Sequence, residues 1–151
     1  MISDIDASIS TLALTVFRAN GALIAAGDAL TEPFGLSSAR WQVMGAIALA
    51  GQPLTVAQIA RNMGLARQSV QRLVDELQRQ GNIDFEDNPQ HKRAKLVRLT
   101  PAGADAYAGI MERWGALSTR LTRQMDATRI RAAIDILEQL STGLDELRPP
   151  D

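Results

Sequence analysis

Leu54 to Gly103 reads LTVAQIARNMGLARQSVQRLVDELQRQGNIDFEDNPQHKRAKLVRLTPAG. Thr55 is placed to cap a helix of about two turns, on which Val56, Ile59 and Ala60 fall at helical spacing before Met63-Gly64. The chain then resumes with Val70, Leu73, Val74 and Leu77 on one face, which predicts a helix over residues 66–80 stopped by Gly81. Ile83 and Phe85 alternate with polar neighbours, and AKLVRLT has the short, β-branched character of a returning strand. Residues 83–100 therefore read as a β-hairpin with DNPQHKR at its tip. Two short helices around a glycine-bearing turn, followed by a hairpin, predict a helix-turn-helix with an attached wing.

The flanks extend this core with long helices. Ile5, Ile9, Leu12, Val16 and Leu23 recur at steps of three, four and seven, the apolar stripe of an amphipathic helix. Pro33 and Gly35 end it, and Ser37 can cap a second helix through WQVMGAIALAG, closed by Gly51. Beyond the hairpin, Thr100-Pro101 starts a helix striped by Tyr107, Ile110, Met111, Trp114, Leu117 and Leu121. Ile130, Ile134, Leu137, Leu140, Leu144 and Leu147 stripe the last one, and the tail DELRPPD reads as frayed. Stripes of this length would be sticky in a monomer, so a homodimer interface is favoured over a bundle within one chain. The expected fold is mainly α with a small β-hairpin wing. A winged helix-turn-helix lobe spans residues 37–100, and long dimerisation helices span 1–30 and 101–148.

Sixteen Lys and Arg stand against seventeen Asp and Glu, so net charge says nothing about a polyanionic partner. Distribution does. No acid lies between Pro33 and Val74, where Arg40, Arg61, Arg67 and Arg72 occur. Asn88 to Ala104 is also acid-free and carries Lys92, Arg93, Lys95 and Arg98.

With the apolar face of the second helix turned inward, Gln68, Gln71 and Arg72 project outward, and Arg67 and Ser69 occupy its first turn. Arg suits guanine, Gln suits adenine and Ser suits either in the major groove of double-stranded DNA. His91, Lys92 and Arg93 at the hairpin tip, flanked by Lys95 and Arg98, make a cationic finger for phosphates or a minor groove. Thr55 joins the candidate DNA-contacting set at the start of the first short helix. The alternative is a solvated polar face on a winged-helix module that binds protein. Salt dependence separates the two.

The segment from Leu54 to Tyr107 resembles the core of a MarR-family (multiple antibiotic resistance regulator) transcriptional regulator, most closely in the wing RAKLVRLTPAG. One long helix before it and two after it extend the resemblance over nearly the whole chain. The resemblance implies homodimers with winged lobes, intertwined terminal helices and release from DNA by small aromatic or phenolic ligands. It matches Arg93 to the family's wing arginine and residues 67–72 to the recognition helix. It also raises Phe17 and Trp41 as candidate ligand-lining residues, against a reading of both as core aromatics. Many family wings carry an acid two positions before that arginine, where this sequence has His91. A titratable imidazole there predicts tighter DNA binding on mild acidification.

Other function classes find little support. The chain has no cysteine, which excludes disulfides, thiolate chemistry and Cys-based zinc sites. Its single histidine has no second one to complete a metal or catalytic site. Asp75-Glu76 and Glu86-Asp87 are adjacent pairs whose side chains diverge, and no phosphate-binding glycine loop occurs. No enzyme, metal or cofactor is expected. MISDIDAS lacks the basic start of a secretory signal and the most apolar run, VMGAIALAG, is short, so a cytoplasmic protein without membrane contact is expected.

Overall fold

The computed structural model describes residues 3–149, so the last two residues of the tail expected to fray lie outside the described residues. The order is α1 (Asp4–Thr31), α2 (Ser38–Ala50), β1 (Leu54–Thr55), α3 (Val56–Met63), α4 (Arg67–Arg79), β2 (Ile83–Glu86), β3 (Leu96–Leu99), α5 (Pro101–Leu121) and α6 (Ala127–Glu146). The chain divides into two compact units, one through Arg113 and one from Trp114 onward.

In the first unit, α1 runs past the predicted stripe to Thr31, and its first turn is fixed by a capping box in which Ser3 and Asp6 exchange hydrogen bonds. The Ser3 hydroxyl, with help from the Ser3 backbone N–H, holds the Asp6 carboxyl below the usual carboxylate range. No residue of α1 before Gly27 is buried, and Ile5, Leu14 and Phe17 are strongly exposed. α1 with the 3-10 turn that follows it is also long and apolar enough to cross a membrane, by length and composition alone. Sequence reading overlooked this. Ala, Gly, Ser and Thr intersperse the larger apolar residues, so no single run stands out.

The end of α1 locks onto the start of α2. A Cβ on Gly27 would lie 2.5 Å from the Ser38 hydroxyl, so the two helices cross where neither carries bulk. Asp28 Oδ1 accepts the Ser38 backbone N–H at 2.8 Å, and the Ser37 hydroxyl accepts from Arg40 N at 3.3 Å. Two side chains thus cap one helix end, satisfying amides that have no helical partner.

The winged lobe is built around Val43, Met44 and Ile47 of α2, Ile59 of α3, Val70, Val74 and Leu77 of α4, Ile83 and Val97 of the sheet and Ile110 of α5. Each such side chain stabilises the lobe by roughly 1.5–3 kcal/mol on leaving water. Leu73, expected on the same face of α4, is only half-buried at the edge of this core. The wing differs from the predicted two-stranded hairpin. Leu54–Thr55 is a third strand, giving the antiparallel order β1-β3-β2 with Leu54 opposite Val97. Two residues are too few to show alternation in a sequence, and the same Thr55 also serves as the helix cap.

The second unit contains the end of α5, a 3-10 turn (Thr122–Gln124) and α6, whose N-cap Asp126 accepts from Arg129 N at 2.9 Å. No residue of α6 is buried, and its stripe leaves Ile130, Ile134, Leu137, Leu144 and Leu147 exposed.

Candidate nucleic-acid interface

The turn between α3 and α4 depends on one glycine. Gly64 has φ 64°, the left-handed region, and its N–H closes the end of α3 while Leu65 N donates to Ala60 O at 3.0 Å. The chain then enters α4 at Ala66, whose side chain supplies no capping hydrogen bond. The first turn of α4 has no acid, and Arg67, Gln68 and Ser69 are all exposed there. An uncapped, acid-free helix N-terminus favours an approaching anion, because its free amides and dipole point outward.

α4 and the wing enclose an open cleft of about 430 Å³. Of the DNA-contacting candidates, Thr55, Arg67, Gln71, Arg93 and Lys95 line it together. Three cations from two separate elements therefore converge over one concavity. Phe85 and Val56 form apolar lining, and Asp75 adds a carboxylate that the sequence reading left out. Gln71 Nε2 donates to Asp75 Oδ1 at 2.9 Å, a pairing signalled in the sequence by its spacing of four on a helix. Gln68, Ser69 and Arg72 are on the exposed side of α4 but do not line the cleft, and neither do His91 and Lys92 at the tip.

Thr55 has structural work as well. Its hydroxyl accepts from Gln58 N at 3.2 Å and its backbone N–H donates to Gln58 Oε1 at 2.8 Å, a complete capping box. The wing tip is turned by Asn88, whose side chain accepts Gln90 N at 3.0 Å and whose carbonyl accepts His91 N at 3.2 Å. His91, Lys92 and Arg93 are exposed beyond that turn.

Two readings need correction. Arg98, grouped from sequence with the cationic finger, lies on β3 opposite Asp84, which it meets at 3.3 Å, and it meets Glu86 at 3.4 Å. Cross-strand carboxylates thus neutralise it at the base of the wing. Phe17, for which packing in the core was the alternative to lining a ligand site, is 74% exposed, so it is no core aromatic. Trp41 does pack against the core, as a half-buried side chain of α2.

The profile of the MarR family matches residues 34–94, which contain α2, α3, α4 and most of the wing. The chain belongs to the MarR family. An uncharacterized protein of Mycobacterium tuberculosis is 32% identical over 141 residues, covering 93% of this chain and 97% of that protein. Among solved structures, a mutant MarR from Escherichia coli complexed with operator DNA superposes with a TM-score of 0.76 at 22% identity, covering 91% of this chain and 99% of that one. CouR from Rhodococcus jostii RHA1, bound to p-coumaroyl-CoA, gives a TM-score of 0.77 at 22% identity, with coverages of 85% and 90%. This MarR-family chain shares with them the winged helix-turn-helix fold, mainly helical with a small antiparallel sheet.

Proposed function

We propose that the protein, as a DNA-binding transcriptional regulator of the MarR type, acts as a homodimer on a pseudo-palindromic operator and represses transcription by occupying it. The observation that carries this reading is the cleft between α4 and the wing, where Arg67, Arg93 and Lys95 converge beside the uncapped end of α4. Arg67, Gln68, Ser69, Gln71 and Arg72 are assigned to a major groove, with Thr55 at its edge. His91, Lys92, Arg93 and Lys95 are assigned to the flanking backbone or minor groove. The operator complex of the E. coli MarR, which shares the fold, supports the DNA-binding reading.

The second copy is assigned to the exposed apolar residues of residues 1–30 and 101–148, such as Leu14 and Ile134, which are 69% and 49% exposed in the single chain. Covering them with an identical chain accounts for the apolar character of α1 without a bilayer, which supports a cytoplasmic location. A small aromatic or phenolic effector is assigned to the neighbourhood of Phe17 and Trp41, a reading supported by CouR with its p-coumaroyl-CoA.

Selection of sites from random duplexes tests the reading. Two inverted half-sites with centres about one helical turn, 10–10.5 base pairs, apart are expected. The affinity for the selected site should fall by orders of magnitude between about 50 and 200 mM salt. A salt-insensitive contact with no sequence preference would instead favour a protein-binding module.

A further inference from the structure

Gln71 and Asp75 are one helical turn apart on the exposed side of α4, joined by the bond from Gln71 Nε2 to Asp75 Oδ1. An ionised carboxylate accepts hydrogen bonds and donates none, so only the nitrogen end of the amide can face it. Gln71 Oε1 is left as the acceptor that the amide can offer elsewhere. A free glutamine can meet a base edge either way round; this one is held one way.

We propose that Asp75 is a specificity-determining positioning residue, which fixes the polarity of the Gln71 amide so that the base it faces is selected for an exocyclic amine, adenine N6 or cytosine N4. The inference rests on the base-reading role assigned to Gln71 above. In the major groove adenine shows a donor beside the N7 acceptor, cytosine shows a donor, guanine shows two acceptors, and thymine shows an acceptor and a methyl group. With Oε1 turned to the base and one Nε2 hydrogen still available, adenine is met at two points and cytosine at one. Guanine O6 or thymine O4 would oppose Oε1, acceptor against acceptor. Asp75 does not read the base itself. It lines the cleft with Arg67 and Arg93, and its carboxylate acts through Gln71.

A glutamine and an aspartate four apart also support a helix slightly. That role would weaken binding to all operators alike and would leave sequence preference unchanged, which gives a clean test. Site selection from random duplexes is run on wild type, Asp75→Asn, Asp75→Glu, Gln71→Ala and the Gln71→Ala/Asp75→Asn double variant. The base pair facing Gln71 is the one whose preference Gln71→Ala erases. On the strand that Gln71 faces at that pair, wild type should prefer adenine or cytosine over guanine or thymine by roughly tenfold, in line with one good base contact. Asparagine can accept or donate, so Asp75→Asn should flatten this preference several-fold while other positions keep theirs. Loss of a negative charge should tighten binding to all sequences by a common factor. Asp75→Glu should retain the preference, and in the Gln71→Ala background Asp75→Asn should leave that base pair unaffected. An Asp75→Asn profile matching wild type, or a shift that persists without Gln71, overturns the inference while leaving the DNA reading in place. A wild-type protein that selects no sequence overturns both.

Discussion

Arg40 and Gln80 are 40 residues apart in the chain and joined in space, with Arg40 Nη1 donating to Gln80 Oε1 at 3.0 Å. Gln80 Nε2 in turn donates to the Gly35 carbonyl at 2.9 Å, and Arg40 Nε donates to the Ser37 hydroxyl at 3.2 Å. The pair ties the C-terminal cap of α4 to the corner between α1 and α2, so the far end of α4 is held as well as its start. Gln80→Ala removes two of these bonds. A loss of about 1–2 kcal/mol is expected from net values of about 0.5–1.5 kcal/mol per hydrogen bond, with solvent exposure favouring the lower end. Urea unfolding of Gln80→Ala and Arg40→Ala should show lowered midpoints at unchanged slope, and an unchanged Gln80→Ala midpoint would remove the tie.

Gly103 and Gly109, both on α5, should respond differently to alanine. A Cβ on Gly103 would run into the Asn82 carbonyl oxygen, which also accepts Thr100 N at 3.0 Å. Backbone cannot give way there without breaking the junction of β3 and α5. A Cβ on Gly109 meets only the edge of the Phe34 ring, at 2.7 Å, and a ring can swing aside. Gly103→Ala should cost about 2 kcal/mol or more, within or above the usual range for overpacking. Gly109→Ala should be nearly neutral, because the higher helix propensity of alanine, worth about 1 kcal/mol, offsets the ring movement. Thermal unfolding of the two variants side by side measures the contrast.

Asp6 sets the acid response of the start of α1. The Ser3 hydroxyl and backbone hold its carboxyl below its ordinary value, so the folded pKa is depressed relative to the unfolded one. Stability from such a group is present above the unfolded pKa, near 3.9, and is lost as pH falls through the folded value. The first turn of α1 should therefore fray below about pH 4 in wild type. An Asp6→Asn variant should show little change over the same range. Amide chemical shifts of residues 4–7 followed from pH 5 to pH 2 distinguish the two.

The helices were legible because their signals are local. Ser37, Thr55 and Thr100 cap where expected, and Val70, Val74 and Leu77 turn inward on α4 as their spacing requires. What escaped depends on partners distant in sequence. β1 exists only through its pairing with β3. Arg98 is neutralised by a register that sequence could place only within a hairpin. Of the candidate site, Arg67, Arg93 and Lys95 are brought to one cleft, whereas Asp75 was passed over as one of two adjacent acids whose side chains diverge. Its relevance comes from its bond to Gln71, across a helical turn.

Arg72 and Lys92 should separate base reading from backbone contact. Arg72 is exposed on α4 and Lys92 is exposed at the wing tip, so alanine at either leaves the buried core intact. Arg72→Ala should relax preference at one base pair and cost about 1–3 kcal/mol on the best operator. Lys92→Ala should weaken binding to all sequences alike and flatten the slope of log affinity against log salt by about one unit. Anisotropy titrations on a small set of operator variants at several salt concentrations suffice. Identical behaviour of the two variants across that set would refute the division of labour.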